Sequence, residues 1–224
     1  MANDYFSFKQ FTIRQQHCAM KVGTDGTLLG AWAHGGRKIL DVGTGTGLIA
    51  LMMAQRFADA TVTGIDIDAA AVQQAQQNVE ESPFAERIII LQQDVAHMEG
   101  AFDAIVSNPP YFSHSLHCPD SQRSLARHDD TLPYSLLTAS AWRLLTDDGE
   151  LSVVIPYDQR QRLESEVAIV GFFKSREWTV RTSPRKTPKR VLLAYRKHPV
   201  TQLDTNELTI GTEQYIELTK DFYL

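Results

Sequence analysis

Cysteine is scarce: Cys18 and Cys118 are the only two in 224 residues. Thiols that far apart in sequence make no disulfide framework, so a reducing compartment is expected. A basic excess is also lacking. The formal net charge is −5, so any nucleic-acid partner requires a local basic patch rather than a basic chain. No apolar run approaches the roughly 20 residues of a membrane-spanning helix. The polar opening, MANDYFSFKQFTIRQQ, lacks the apolar core of a secretory signal. These absences lead to the expectation of a cytoplasmic, water-soluble protein. Repeats, linkers and low-complexity tracts are missing too. What is present is an apolar fraction ordinary for a chain that buries a core, and length for one large domain with or without an appendage.

From about residue 36 onward, two patterns alternate. Short β-rich runs end in turn residues: KILDVG (38–43), ATVTGID (60–66), RIIILQQ (87–93), FDAIVSN (102–108) and GELSVVIP (149–156). Helical stretches lie between them, LIALMMAQRFA (48–58), AAAVQQAQQNVEES (69–82) and SLLTASAWRLL (135–145). Such alternation predicts a mostly parallel sheet covered by helices on both faces. EWTVRTSP (177–184) and KRVLLAYRK (189–197) flank a Pro/Lys-rich turn, which predicts an antiparallel hairpin at one sheet edge. The total is an α/β fold on a seven-stranded sheet. Residues 1–36 read as a separate N-terminal cap and 37–224 as the main domain. The tail, ELTIGTEQYIELTKDFYL, is expected to pack back on that domain.

DVGTGTG places Gly43, Gly45 and Gly47 between a strand and a helix. Glycines there tighten the turn and let a ligand approach the backbone. Asp66 ends the next strand, at the distance expected of an acid that accepts hydrogen bonds from ribose hydroxyls. Dinucleotide sites usually show G-x-G-x-x-G. The compact spacing here is similar to the S-adenosylmethionine loop of class I methyltransferases, a cofactor with no pyrophosphate to cradle. Asp41 is placed to support the loop or reach the cofactor's ammonium. After the third strand, Asp94 and Val95 suit an adenine amino group and ring, with Ile67 following Asp66 on the same side. For Asp94 alone, a solvated turn acid fits as well.

IVSNPPYFS (105–113) follows the fourth strand, where doubly wound sheets hold ligands. An exocyclic amino group is a poor nucleophile because its lone pair is delocalised. Two acceptors can take its hydrogens and draw the nitrogen toward tetrahedral geometry. The Asn108 side-chain oxygen and the Pro109 carbonyl are such a pair, held at fixed spacing by Pro109 and Pro110. Tyr111 can stack on the planar group and aim its nitrogen at a sulfonium methyl for in-line displacement. Asn108, Pro109, Pro110 and Tyr111 are the candidate catalytic residues.

Together ILDVGTGTG, GIDID, QQDV and SNPPY resemble the amino-group methyltransferases of the N-P-P-Y type. Outside that core, HCAMKVGTDGTLLGAW (17–32), ARHD (126–129) and DFYL (221–224) resemble the bacterial N6-adenine methyltransferases of valine tRNA, which modify position 37 beside the anticodon. The resemblance implies a Rossmann-like class I fold, S-adenosylmethionine as cofactor, tRNA as substrate and no metal. It makes Asn108 to Tyr111 catalytic, and Gly43, Gly45, Gly47 and Asp66 cofactor-binding. It also brings 20–26 over the cofactor's methionine end, with Thr24 or Asp25 in contact. Protein glutamine-amide methylation uses the same motif, but usually with a longer N-terminal helical domain. DNA adenine or ribosomal guanine methylation, a nicotinamide oxidoreductase and a non-catalytic RNA-binding domain are further readings.

For RNA, the concentrated positive stretch is Lys174 to Lys197, opposed within it only by Glu177. Arg185, Lys186, Lys189 and Arg190 at its turn are the expected phosphate contacts, with Lys21 in the cap and Arg127 and His128 after N-P-P-Y. An edge hairpin whose lysines prevent aggregation is the plainer reading. The aromatic run Tyr5, Phe6, Phe8 and Phe11 is read as packing. His114, His117 and Cys118, even with His17 and Cys18, are read as ordinary loop residues, because four zinc ligands are not demonstrably close.

Overall fold

The computed structural model describes residues 4–16, 21–110 and 132–224. A two-stranded hairpin, β1 (Tyr5–Ser7) and β2 (Thr12–Arg14), precedes α1 (Thr24–Trp32). The main sheet then begins with β3 (Lys38–Val42), followed by α2 (Leu48–Arg56), β4 (Thr61–Asp66), α3 (Ala69–Glu80), β5 (Ile88–Gln92) and β6 (Phe102–Ser107). It continues with α4 (Tyr134–Leu144), β7 (Leu145–Pro156), α5 (Arg160–Val170), β8 (Phe173–Arg181), β9 (Arg190–Arg196), β10 (Asp204–Thr209) and α6 (Glu213–Thr219).

The sheet order is β10-β8-β9-β7-β6-β3-β4-β5. All pairings are parallel except the two made by β9, with β7 and β8. The sheet has eight strands, one more than the sequence reading counted. The hairpin β8–β9 is therefore not outermost, because β10 pairs along β8 and takes the edge. DTNELT, the β10 sequence, has little strand propensity, and only Leu208 in it is buried. It forms a strand because the outer edge of β8 offers an unfilled ladder of backbone donors and acceptors.

Apolar residues of α1, α2 and α3 join the core on one face, and those of α4 and α5 the core on the other. Phe8, Phe11 and Ile13 of the N-terminal segment lie in the same core as α1 and α2, with Phe8 stacked on Tyr223. Gly26 and Gly30 disguise α1, since glycine is a poor helix former. Gly30 is needed for packing: a Cβ there would lie 2.7 Å from the Met52 sulfur of α2. Arg56 fastens the same two helices, donating to the Gly30 and Ala33 carbonyls at 2.8 and 2.7 Å.

A buried ionic cluster closes the end of the sheet where β7 begins its pairing with β9. Glu150, 3% exposed, meets Arg176 at 2.7 Å, Arg196 at 2.9 Å and His34 at 3.3 Å. Burial alone would raise its pKa. Hydrogen bonds from His34 and Arg196, with the Arg176 and His34 charges, outweigh burial and hold it down to about 2. The Arg176 guanidinium also lies 3.8 Å from the centre of the Trp32 ring.

Candidate active site

Chain order reverses at β3, which has β4 on one side and β6 on the other. Ligands of open α/β sheets bind outside the carboxyl ends of the strands at such a switch point. Val42 is in register with Ser107 of β6 and Ile65 of β4, and Asp66 with Gln92 of β5. Asn108, Gly43, Asp66 and Asp94 thus all emerge on one rim, a strand spacing of about 4.8 Å from neighbour to neighbour.

The glycine loop is tightly braced. Gly43 and Thr44 both donate to the Ile65 carbonyl, and Gly47 donates to that of Thr44. Gly43, Gly45 and Gly47 have φ of 71°, 57° and 80°, a region costly for other residues. A Cβ built on Gly43 or Gly45 meets nothing within 4 Å. The loop therefore offers a bare backbone cradle. At Gly64 the case is opposite: a Cβ would lie 2.8 Å from the Thr44 hydroxyl. This glycine is what lets the loop settle on β4.

Beneath the loop, Asp41 is fully buried. Its Oδ2 accepts from the Thr44 hydroxyl at 2.7 Å and from the Ala50 amide in the first turn of α2 at 3.1 Å. Burial pushes its carboxyl up to about 7; those two bonds oppose the rise and the Asp66 charge adds to it. Asp41 Oδ1 is buried without a hydrogen-bond partner. A bare cradle above an unsatisfied buried acid fits a ligand that carries positive charge and hydrogen-bond donors.

Asp66 Oδ2 accepts from the Gly45 amide at 2.9 Å and Oδ1 from Asp68 at 3.0 Å. Each oxygen retains a lone pair for a hydroxyl. Helix capping falls to Asp68, which accepts from Ala70. Ile67 is half exposed, whereas Val95 is buried. Asp94 caps the short turn 95–97 by accepting from Ala96 at 2.8 Å. Arg143 of α4 grips that turn, donating to the Val95, Ala96 and Met98 carbonyls at 2.6–3.2 Å. Sequence reasoning missed Arg143, since a basic residue ending a helix announces no partner so distant in the chain.

Asn108 is half-buried, Pro109 buried and Pro110 half-buried. Just before them, the Ser107 hydroxyl donates to the Val42 carbonyl at 2.8 Å, tying the elbow to β3. Tyr111, Arg127 and His128 lie outside the described residues, as do His17, Cys18, His114, His117 and Cys118. Among the described residues no cluster of His, Cys, Asp or Glu could hold a metal ion. Thr24 opens α1, and Lys21 before it is exposed.

Within the basic stretch many cations are already ion-paired, most of them with acids elsewhere in the chain. Lys174 meets Glu164 and Glu177, Arg176 and Arg196 meet Glu150, Arg181 meets Glu207, and Lys197 reaches Asp147. Arg190, expected as a phosphate contact, is paired with Asp25 of α1 at 2.6 Å. Arg185, Lys186 and Lys189 stay exposed, with no ion pair among the described residues. Lys186 is held in an ordered turn, its carbonyl accepting from Arg181 at 2.7 Å. Arg190 aligns with Pro156, three residues beyond the β7 partner of Ser107. The turn therefore begins about 10 Å beyond the level of Ser107, about two strand spacings to its side.

Residues 27–183 match the family model of the methyltransferase small domain. The chain belongs to that family. It is 51% identical to the tRNA1(Val) (adenine(37)-N6)-methyltransferase of Phocaeicola vulgatus, across 100% of this chain and 99% of that one. To the protein of the same name from Bacteroides thetaiotaomicron it is 45% identical, with the same coverage. Among solved structures, a predicted O-methyltransferase from Agrobacterium tumefaciens superposes with a TM-score of 0.71 at 18% identity, over 88% of this methyltransferase and 96% of the other chain. That likeness establishes the shared fold.

Proposed function

We propose that the chain transfers a methyl group from S-adenosylmethionine to N6 of adenine 37 in the anticodon loop of valine tRNA. The placement of the Asn108–Pro109 elbow one strand from the Gly43–Gly45 cradle carries this reading, and the names of the full-length relatives supply the substrate.

Gly43, Gly45 and Gly47 lie against the cofactor, and Asp66 accepts from its ribose. Ile67, Asp94 and Val95 take the adenine, while Asp41 and Thr24 face the methionine end. Bound there, S-adenosylmethionine supplies an electrophilic methyl group on sulfur. Asn108 Oδ1 and the Pro109 carbonyl accept the two N–H bonds of the target amine, which localises its lone pair. Pro110 stiffens the elbow and Tyr111 stacks on the base. Because an amide is no base, the displaced proton leaves to water. Arg185, Lys186 and Lys189, with Lys21, Arg127 and His128, contact the phosphates flanking a base that has left its stack. Residues 1–36 act as a cap over the cofactor side, and the enzyme works in the cytoplasm. No described helix is long and apolar enough to cross a membrane.

The test is incubation with methyl-labelled cofactor and total tRNA, followed by digestion to nucleosides. Label in N6-methyladenosine from a valine isoacceptor is expected. Label in another nucleoside, or only in protein glutamine, overturns the assignment.

A further inference from the structure

The geometry points to Asn78 and Gln15 as positioning residues for the cofactor, which join the two sides of its site through the N-terminal hairpin. The inference rests on the glycine loop being the S-adenosylmethionine site.

Asn78 lies in α3 and is 1% exposed. An apolar residue would suit that buried position, so the amide must answer to its bonds. There are three, all to backbone. Its Oδ1 accepts from the Arg14 amide at 2.8 Å, and its Nδ2 donates to the Arg14 carbonyl at 2.9 Å. The same Nδ2 donates to the Thr46 carbonyl at 2.9 Å. Thr46 stands between Gly45 and Gly47, two residues with positive φ in the cradle. Pinning its carbonyl removes loop conformers that a ligand would otherwise have to freeze out.

The chain of bonds continues past Arg14. Gln15 is 6% exposed, and its Oε1 accepts from the Val22 amide at 2.8 Å. Val22 stands two residues before α1, whose first residue is Thr24. Asn78 and Gln15 thus tie Thr46 to Val22 through consecutive residues of β2 and its end. The Arg14 backbone carries the tie, while the side chain only meets Glu81 at 2.8 Å in solvent. Loop and α1 entrance are thereby set at a fixed separation before any ligand arrives.

Titration calorimetry with S-adenosylmethionine, and separately with S-adenosylhomocysteine, tests this. Asn78→Leu and Gln15→Leu should each weaken binding of both by roughly tenfold, the worth of one buried hydrogen bond. The KM for cofactor should rise to match, with kcat and the KM for tRNA unchanged. Arg14→Ala should bind like wild type. In the unliganded Asn78→Leu protein, amide hydrogens of 45–47 should exchange faster. If both Leu variants merely melt at lower temperature and bind as tightly as wild type, the tie is structural and the inference falls. Should Asn78→Leu fail to fold, Gln15→Leu decides alone. Failure of wild type to bind either compound would instead remove the cofactor site itself.

Discussion

Replacing Arg185, Lys186 and Lys189 together by Gln measures how much of the RNA affinity the β8–β9 turn supplies. The sequence offers a far longer basic stretch, but ion pairs spoken for within the fold cannot also neutralise phosphates. Glu150, Glu164, Glu177, Glu207 and Asp25 engage Lys174, Arg176, Arg181, Arg190 and Arg196. Three cations remain on the turn. Three lost phosphate contacts should reduce the slope of log affinity against log salt by about 2, on a single-stranded loop. The same loss weakens binding by about a hundredfold near 0.1 M salt and by little near 1 M. Fluorescence anisotropy with valine tRNA across a salt series reads both quantities. Parallel salt lines for variant and wild type would refute the reasoning. So would a normal slope that falls only when Arg190 and Arg181 are also neutralised, since the paired cations would then be the ones that bind.

Asn108→Ala should lower the single-turnover rate by about 10²–10³, the usual cost of one preorganised hydrogen-bonding group, with cofactor affinity almost unchanged; near-normal methylation would dismiss its role. Asp41 has a folded pKa raised by burial from 3.8 to about 7, so its contribution to stability is complete below 3.8 and is lost as pH rises through about 7. That displacement corresponds to about 4 kcal/mol, and Asp41→Asn should flatten the melting temperature of the unliganded protein between pH 4 and 7 by comparison with wild type. An unaltered profile in urea-free melts would contradict the assignment. Glu150 behaves oppositely: its folded pKa is depressed to about 2, so its contribution is present above 4.5 and lost as pH falls through about 2. Glu150→Gln at neutral pH leaves Arg176 buried beside an uncharged partner and should cost roughly 3–5 kcal/mol by urea denaturation; a loss under about 1 kcal/mol would show the cluster to be dispensable.

Much of this was legible in the order of residues. Glycine at 43, 45 and 47, and an acid at 66, have meanings fixed by local backbone geometry, and the loop adopts the left-handed conformations those glycines permit. The partners of the basic residues were not legible. Asp25 and Arg190 are 165 positions apart, and nothing near either names the other. The same holds for Asn78, an unremarked amide in a glutamine-rich helix until Thr46 and Arg14 fold onto it. Two elements were hidden for different reasons. Glycines mask α1, whose close contact with α2 requires them. Polar residues mask β10, which owes its strand form to the ladder of its neighbour.

One strand running backwards has a large effect. Because β9 opposes β7, the connection that enters it opens onto the rim that carries the glycine loop and the Asn108 elbow. A parallel β9 would have put that connection on the far side of the molecule. The turn can therefore be lengthened, shortened or recharged by changes confined to its tip, leaving both the Gly43–Gly47 loop and the Asn108–Pro109 elbow intact. In the proposed reading, grip on the RNA backbone and competence for transfer lie on separate pieces of chain that face the same opening.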